Sequence, residues 1–354
     1  MMRTISSGRR RWALVAPFAV AAVFLATACS SSSPGGTSSP SGAQGSTDGD
    51  QSAAPEEKGQ LKLAFSNAVP QVEKVPTILA AEELEDQGYD VELIWLQSSE
   101  DPVQAVVRGD AQIGSANVSS VFGAAAQGAP IKAIVTQNNP SYAMVAPVDV
   151  DSPEGLDGLR VGIHAQVSAT ALYSNLLLED YPDVKPNYVV VPGSQNRIQA
   201  LIGGELDASV IQLSDLRVLE EEAPGRFHVL YNYSEQMGDI IDSAVFTTDK
   251  FLESDPQVVQ DFLKALLHQQ ELVQEDHQLL VDAIAANVPD TTPELAESFA
   301  QVYLDSNVWP ADGNFTQAVI DRTVQAIAQY GGLETAPTAE SCCTTEPLDE
   351  ALGR

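Results

Sequence analysis

The chain has 354 residues, with 18 Lys and Arg against 49 Asp and Glu and a formal net charge of −31. That acidic balance argues against a nucleic-acid partner and against adsorption to anionic lipid. With 44% hydrophobic residues, the chain can build packed cores in one large domain or two of ordinary size.

In chain order, Arg3, Arg9, Arg10 and Arg11 give a positive start, followed by an uncharged run over 12–28. That run is short for a membrane span and has the layout of an export leader, so residues 1–28 are expected to be a signal peptide. The stretch Leu25-Ala26-Thr27-Ala28-Cys29 resembles the lipobox of bacterial lipoproteins, in which the cysteine is lipidated. Arg9-Arg10-Arg11-Trp12 also loosely resembles a twin-arginine signal, and general secretion is an equal alternative. Residues 29–59 are rich in Ser, Gly, Pro and Thr. They bury too little apolar surface to offset ordering entropy and read as a disordered tether.

From residue 60 short apolar runs alternate with helical stretches. Strands are expected at 61–65, 90–96, 111–114 and 131–137, with helices over 77–87, 101–108 and 118–127. The scheme then recurs, with strands at 159–164, 188–191 and 208–211 and helices over 168–178 and 195–202. Such alternation predicts an α/β fold with mainly parallel sheets. Two junctions echo each other: Val107-Arg108-Gly109-Asp110-Ala111 and Gly203-Gly204-Glu205-Leu206-Asp207-Ala208. Each is a helix end, a glycine stop, an acid and a buried strand. The last third is helical, with Asp255-Pro256 and Thr292-Pro293 as starts and Gly331-Gly332 as a stop.

Cys342 and Cys343 are adjacent, which suits no usual zinc spacing. The expectation is a surface pair in a loose tail from about residue 333. A vicinal disulfide in an oxidising compartment is the alternative.

Four segments carry a family resemblance: Gly88-Tyr89-Asp90-Val91-Glu92-Leu93, Gly109-Asp110-Ala111-Gln112-Ile113-Gly114, Gly155-Leu156-Asp157-Gly158-Leu159-Arg160-Val161-Gly162 and Gly204-Glu205-Leu206-Asp207-Ala208. In order and spacing the chain resembles type II periplasmic solute-binding proteins. The group is the one that includes nitrate-, sulfonate-, taurine- and thiamine-pyrimidine-binding members. The resemblance implies two α/β lobes: 60–148 with 240–354, and 149–239. Two crossing strands would lie near 148–152 and 238–243. Taken with the lipobox-like stretch, it further implies a lipid-anchored monomer outside the cell membrane. That monomer would close by a hinge on a small solute and deliver it to an ABC permease and its ATPase.

Ligands of open parallel sheets sit beyond the carboxyl ends of the strands. That rule selects Ser66, Asn67, Gln97, Asn117, Ser119 and Asn138 in the first lobe. In the second it selects His164, Ser168, Thr170, Ser194 and Gln212. These are amides, hydroxyls and one histidine, and several lead into helix N-termini that can hold anionic oxygen. A small polar or anionic organic solute, sulfonate-like by resemblance, is expected. No cofactor, metal cluster or nucleophile–base motif is legible, so catalysis is not expected. The competing readings are a sensing or adhesion lipoprotein of the same fold, or a pyrimidine-related enzyme.

Overall fold

The computed structural model describes residues 3–5, 57–166, 168–333 and 335–354. The expected lipidation site Cys29 and nearly all of the leader and tether lie outside the described residues. Of the leader only a short strand, β1 (Arg3–Ile5), is described.

Next come β2 (Gly59–Ser66), α1 (Val75–Asp86), β3 (Tyr89–Leu96), α2 (Glu100–Arg108), β4 (Ile113–Asn117), α3 (Val118–Ala126) and β5 (Ile131–Asn138). The middle of the chain holds β6 (Tyr142–Pro147), β7 (Arg160–Ile163), α4 (Ala169–Leu177), β8 (Asn187–Val190), α5 (Ser194–Ile202), β9 (Ala208–Gln212), α6 (Leu216–Glu222) and β10 (Phe227–Asn232). The remainder is α7 (Tyr233–Gln236), β11 (Ser243–Thr248), α8 (Asp249–Ser254), α9 (Pro256–Glu275), α10 (His277–Asn287), α11 (Pro293–Asp305), α12 (Gln317–Tyr330), α13 (Ala339–Cys342) and α14 (Glu346–Ala351).

The strands form two sheets, ordered β1-β3-β2-β4-β11-β5 and β10-β6-β9-β7-β8. Each has a parallel core, β3-β2-β4 in one and β8-β7-β9 in the other. Each core is extended by one antiparallel strand, β11 on β4 and β6 on β9. A fifth strand then completes the row, β5 beyond β11 and β10 beyond β6. The two sheets therefore repeat one plan, and in each the antiparallel strand arrives directly from the other sheet. The echoed junctions are the same device twice. Gly109 and Gly204 take left-handed φ values of 80° and 72°, which glycine adopts free of any Cβ penalty, and turn a helix end back into the sheet.

Two expectations are corrected. The first passage between sheets runs through 139–141, not 148–152, because β6 already pairs with β9 and β10. Ala143, Met144, Val145 and Ala146 are 0–1% exposed, as a strand covered on both faces requires. The tail beyond 333 is also not loose. Thr338 caps α13 with a capping box, Leu348 is buried, and Cys342 and Cys343 lie in the main core. Among the described residues, no helix is long and apolar enough to cross a membrane.

Candidate functional site

The carboxyl ends of β2, β4 and β5 surround a short 3-10 turn, Val72–Lys74, that leads into α1. Glu73 and Lys74 sit on it, flanked by Val72 and Val75, and all four are buried. The Lys74 ammonium donates to Gln137 Oε1 at 3.0 Å and reaches Ser115 Oγ at 3.5 Å. Gln137 in turn donates to Thr77 Oγ1 at 3.1 Å. Glu73 is held by α11 and the loop that follows it: Tyr303 donates to its carboxylate at 3.4 Å, and the Trp309 indole donates to its carbonyl at 3.1 Å.

Asp242, at the entry to β11, is the second buried acid. Its carboxylate accepts from the Tyr173 hydroxyl on α4, from Asn138 Nδ2 at 3.0 Å and from Ser243 Oγ at 3.2 Å. Its backbone is pinned as well, with Val118 N and Asn117 Nδ2 donating to its carbonyl at 2.8 and 3.1 Å. Tyr173 belongs to the helices of the second sheet, so this carboxylate joins the two halves.

Burial pushes the Asp242 carboxyl up from its ordinary range. Hydrogen bonds from Tyr173 and Asn138 and the Lys74 charge oppose that shift. Burial raises Glu73 in the same way, against the pull of Lys74. Burial lowers Lys74, while Glu73 and Asp242 hold it up. Two acids and one base therefore share a dry site in which each charge depends on the others.

Across from them stands Tyr142, the first residue of β6. Burial raises its hydroxyl, and so do the charges of Asp242 and Glu73; Arg197 and a hydrogen bond with Gln212 work the other way. Tyr142, Tyr173, Tyr233 and Tyr231 follow one another at ring separations of 5.4, 5.2 and 5.1 Å. Arg197, in the first turn of α5, is 2% exposed. It donates through Nε to the Val210 carbonyl at 2.9 Å and through Nη1 to the Val191 carbonyl at 3.2 Å. Those bonds use only part of its five-proton fork.

The residues selected from sequence fall into three groups. Asn117 and Asn138 meet at Asp242, and Ser66 is buried at the end of β2. Asn117 is engaged at both ends of its amide, since its Oδ1 also accepts from Ser119 N at 3.1 Å and caps α3. The Asn138 Oδ1 is buried without a partner. A second group closes on itself in the second sheet. Ser168 caps α4 and bonds Thr170 Oγ1 at 3.0 Å, and Thr170 accepts from His164 N at 2.8 Å. Ser194 Oγ accepts from Gln212 N at 3.2 Å. The third group faces outward. Gln97 and His164 are exposed, and Asn67 holds a left-handed φ of 80°. His164 Nδ1 accepts from Gly193 N at 3.1 Å. Partial burial, then Arg197, lowers its ring below the ordinary histidine range.

Sequence reasoning missed Glu73, Lys74, Asp242 and Tyr173, and took the strand ends to lack acids. The legible signal was an opposite-charge pair wedged between two valines, Val72-Glu73-Lys74-Val75. Among the described residues, no three His, Cys, Asp or Glu side chains gather closely enough to hold a metal ion.

A family model described as "NMT1/THI5 like" matches residues 75–276. A taurine-binding periplasmic protein of Escherichia coli (strain K12) is 27% identical over 194 residues, 52% of this chain and 58% of that protein. The match thus spans little more than half the length of that relative. Among solved structures, the ligand-binding component of an ABC-type import system from Staphylococcus aureus superposes with a TM-score of 0.67 at 14% identity. It covers 83% of this chain and 99% of that one. The periplasmic aliphatic sulphonate binding protein of Escherichia coli gives 0.65 at 13% identity, over 81% and 92%. At such identities the structures share the α/β fold of two helix-flanked mixed sheets.

Proposed function

The chain belongs to the NMT1/THI5 like family, and on that premise we propose that it is a solute-binding lipoprotein of an ABC importer. It is anchored outside the cell membrane through Cys29 and hands its solute to a permease and ATPase. One observation carries the reading. Buried acids of the first sheet meet tyrosines of the second, Tyr173 donating to Asp242 and the charges of Asp242 and Glu73 acting on Tyr142, next to the two passages at 139–141 and 233–242. A dry polar site between two halves joined by crossing segments suits capture by hinge closure.

The solute is a small polar or anionic organic molecule, sulfonate-like as in two of the relatives. The remaining N–H groups of Arg197 and the Tyr142 hydroxyl provide donors on one side. Lys74 and the free Asn138 Oδ1 face the site from the other. The loops at Asn117–Ser119, Ser168–Thr170 and Ser194–Gln212 frame it. Turnover has no part in this reading: the buried acids and the amine hold one another and bind.

The test is a thermal-shift screen of residues 57–354 against sulfonates, taurine, nitrate, amino acids and thiamine precursors. A ligand at about 100 times its Kd adds about 2.7 kcal/mol of stability. A hit whose shift is lost in Tyr142→Phe supports the site. A hit that Tyr142→Phe and Asn138→Ala both leave unchanged removes the site, and a silent panel removes the sulfonate-like solute.

A further inference from the structure

The C-terminal segment is laid across β5 as a strap. Thr344 N donates to the Ala133 carbonyl at 3.0 Å, and Ala133 and Cys343 form an isolated parallel bridge. The Lys132 ammonium donates to the carbonyls of Glu340 and, at 3.1 Å, Ser341. Further along, Gln260 donates to the Pro347 carbonyl at 2.9 Å. In the middle of this strap lie two adjacent thiols. Cys342 is 0% and Cys343 8% exposed, and both pack in the main core. Their sulfurs are 3.0 Å apart, closer than unbonded sulfur atoms ordinarily rest. The other polar contact of Cys342 is a long one, 3.8 Å to the Ala339 carbonyl. With no cluster of three metal donors among the described residues, the sulfurs have each other as partners.

We propose that Cys342 and Cys343 are joined by a vicinal disulfide in the exported protein. The inference takes from the proposed function only the oxidising compartment. The oxidant is the disulfide of a thiol-exchange protein or of a small dithiol. One cysteine thiolate attacks it and forms a mixed disulfide, releasing the first oxidant thiol. The second cysteine thiolate then attacks the cysteine sulfur of that mixed disulfide, and the second oxidant thiol leaves. The two protons lost by the cysteines end on the two departing thiols. The cysteines are oxidised by two electrons, and the oxidant disulfide is reduced by two.

The order of events follows from burial. Burial pushes the docked Cys343 thiol up, and the neighbouring Cys342 adds to the shift. Exchange needs the thiolate, so the bond forms before the strap docks on β5. Docking then shields it. Consecutive Cα atoms lie about 3.8 Å apart, below the span of ordinary disulfides. Once undocked, the bond is therefore reduced more readily than a long-range one.

Trypsin places both cysteines in one peptide, residues 323–354, between Arg322 and the terminal Arg354. The full chain, folded with oxidised glutathione, is acid-quenched, denatured, alkylated with iodoacetamide and digested. The expected peptide is two hydrogens lighter than the dithiol and takes no alkyl group until it is reduced, when it takes two. A peptide that alkylates twice without reduction overturns the proposal, as does one carrying glutathione or a second chain. The readout involves no solute, so a failed ligand screen leaves it untouched, and the reverse holds.

Discussion

The two halves of the candidate site are built in opposite ways. On the first sheet, Lys74, Glu73 and Asp242 are buried charges tied by bonds that join distant parts of the chain, such as Asn138 to Asp242 and Tyr303 to Glu73. On the second, apart from the buried Arg197, Ser168 with Thr170 makes a turn contact two residues apart and His164 with Gly193 joins loops 29 residues apart, both near the surface. The first arrangement is costly to disturb because each group loses a charged partner in a dry setting. The second is cheap because water replaces what is lost.

The comparison can be broken most directly at Asp242. Asp242→Ala is expected to cost about 3 kcal/mol or more, since Lys74 then keeps one counter-charge instead of two. Urea denaturation reads this, and a loss below that of a surface cap would erase the contrast. Tyr173→Phe removes one hydroxyl from a buried carboxylate, with an expected cost of about 2 kcal/mol. Ser168→Ala deletes an N-cap and is expected to cost about 1 kcal/mol with solute affinity unchanged. A large affinity loss in that variant would move the second-sheet loop from framing into contact.

The smallest effect is a pH dependence at His164. Its folded pKa is lowered below the reference 6.5 by partial burial and then by Arg197, so the unfolded chain takes up the proton first. Its contribution is fully present above the unfolded pKa and fades as pH falls through the folded one. His164→Gln should flatten the slope of melting temperature against pH on the acid side of neutrality. An unchanged slope would show that the ring is solvated alike in both states.

This division also explains what was legible beforehand. The alternating pattern identified the parallel cores, and the glycine stops at Gly109 and Gly204 marked equivalent junctions, because turn chemistry is local. Asn117 and Ser168 were found for the same reason, as residues leading into helices. Asp242 was not, since nothing near Ile240-Ile241-Asp242 signals that Tyr173 and Asn138 converge on it from 69 and 104 residues away. The run that became β6 was missed because no α-helix separates it from β7, and β11 because it enters its sheet antiparallel, straight from the other sheet, outside the strand–helix alternation. The buried tail escaped notice because Thr338 to Glu346 is polar and docks mainly through its backbone.

The place of β11 between β4 and β5 sets a schedule for folding. Every sheet neighbour of β5 comes from later in the chain, β11 on one edge and the Cys343 bridge beyond it. A chain made from its N-terminus therefore holds β5 without a partner, and leaves the β4 edge open, until residues 243–248 arrive. Long-range pairing of this kind is slow, and open strand edges invite foreign strands in the meantime. The first sheet is thus the last to close although its residues are made first, and holding the nascent chain away from its neighbours should raise the yield of folded protein more than speeding synthesis does.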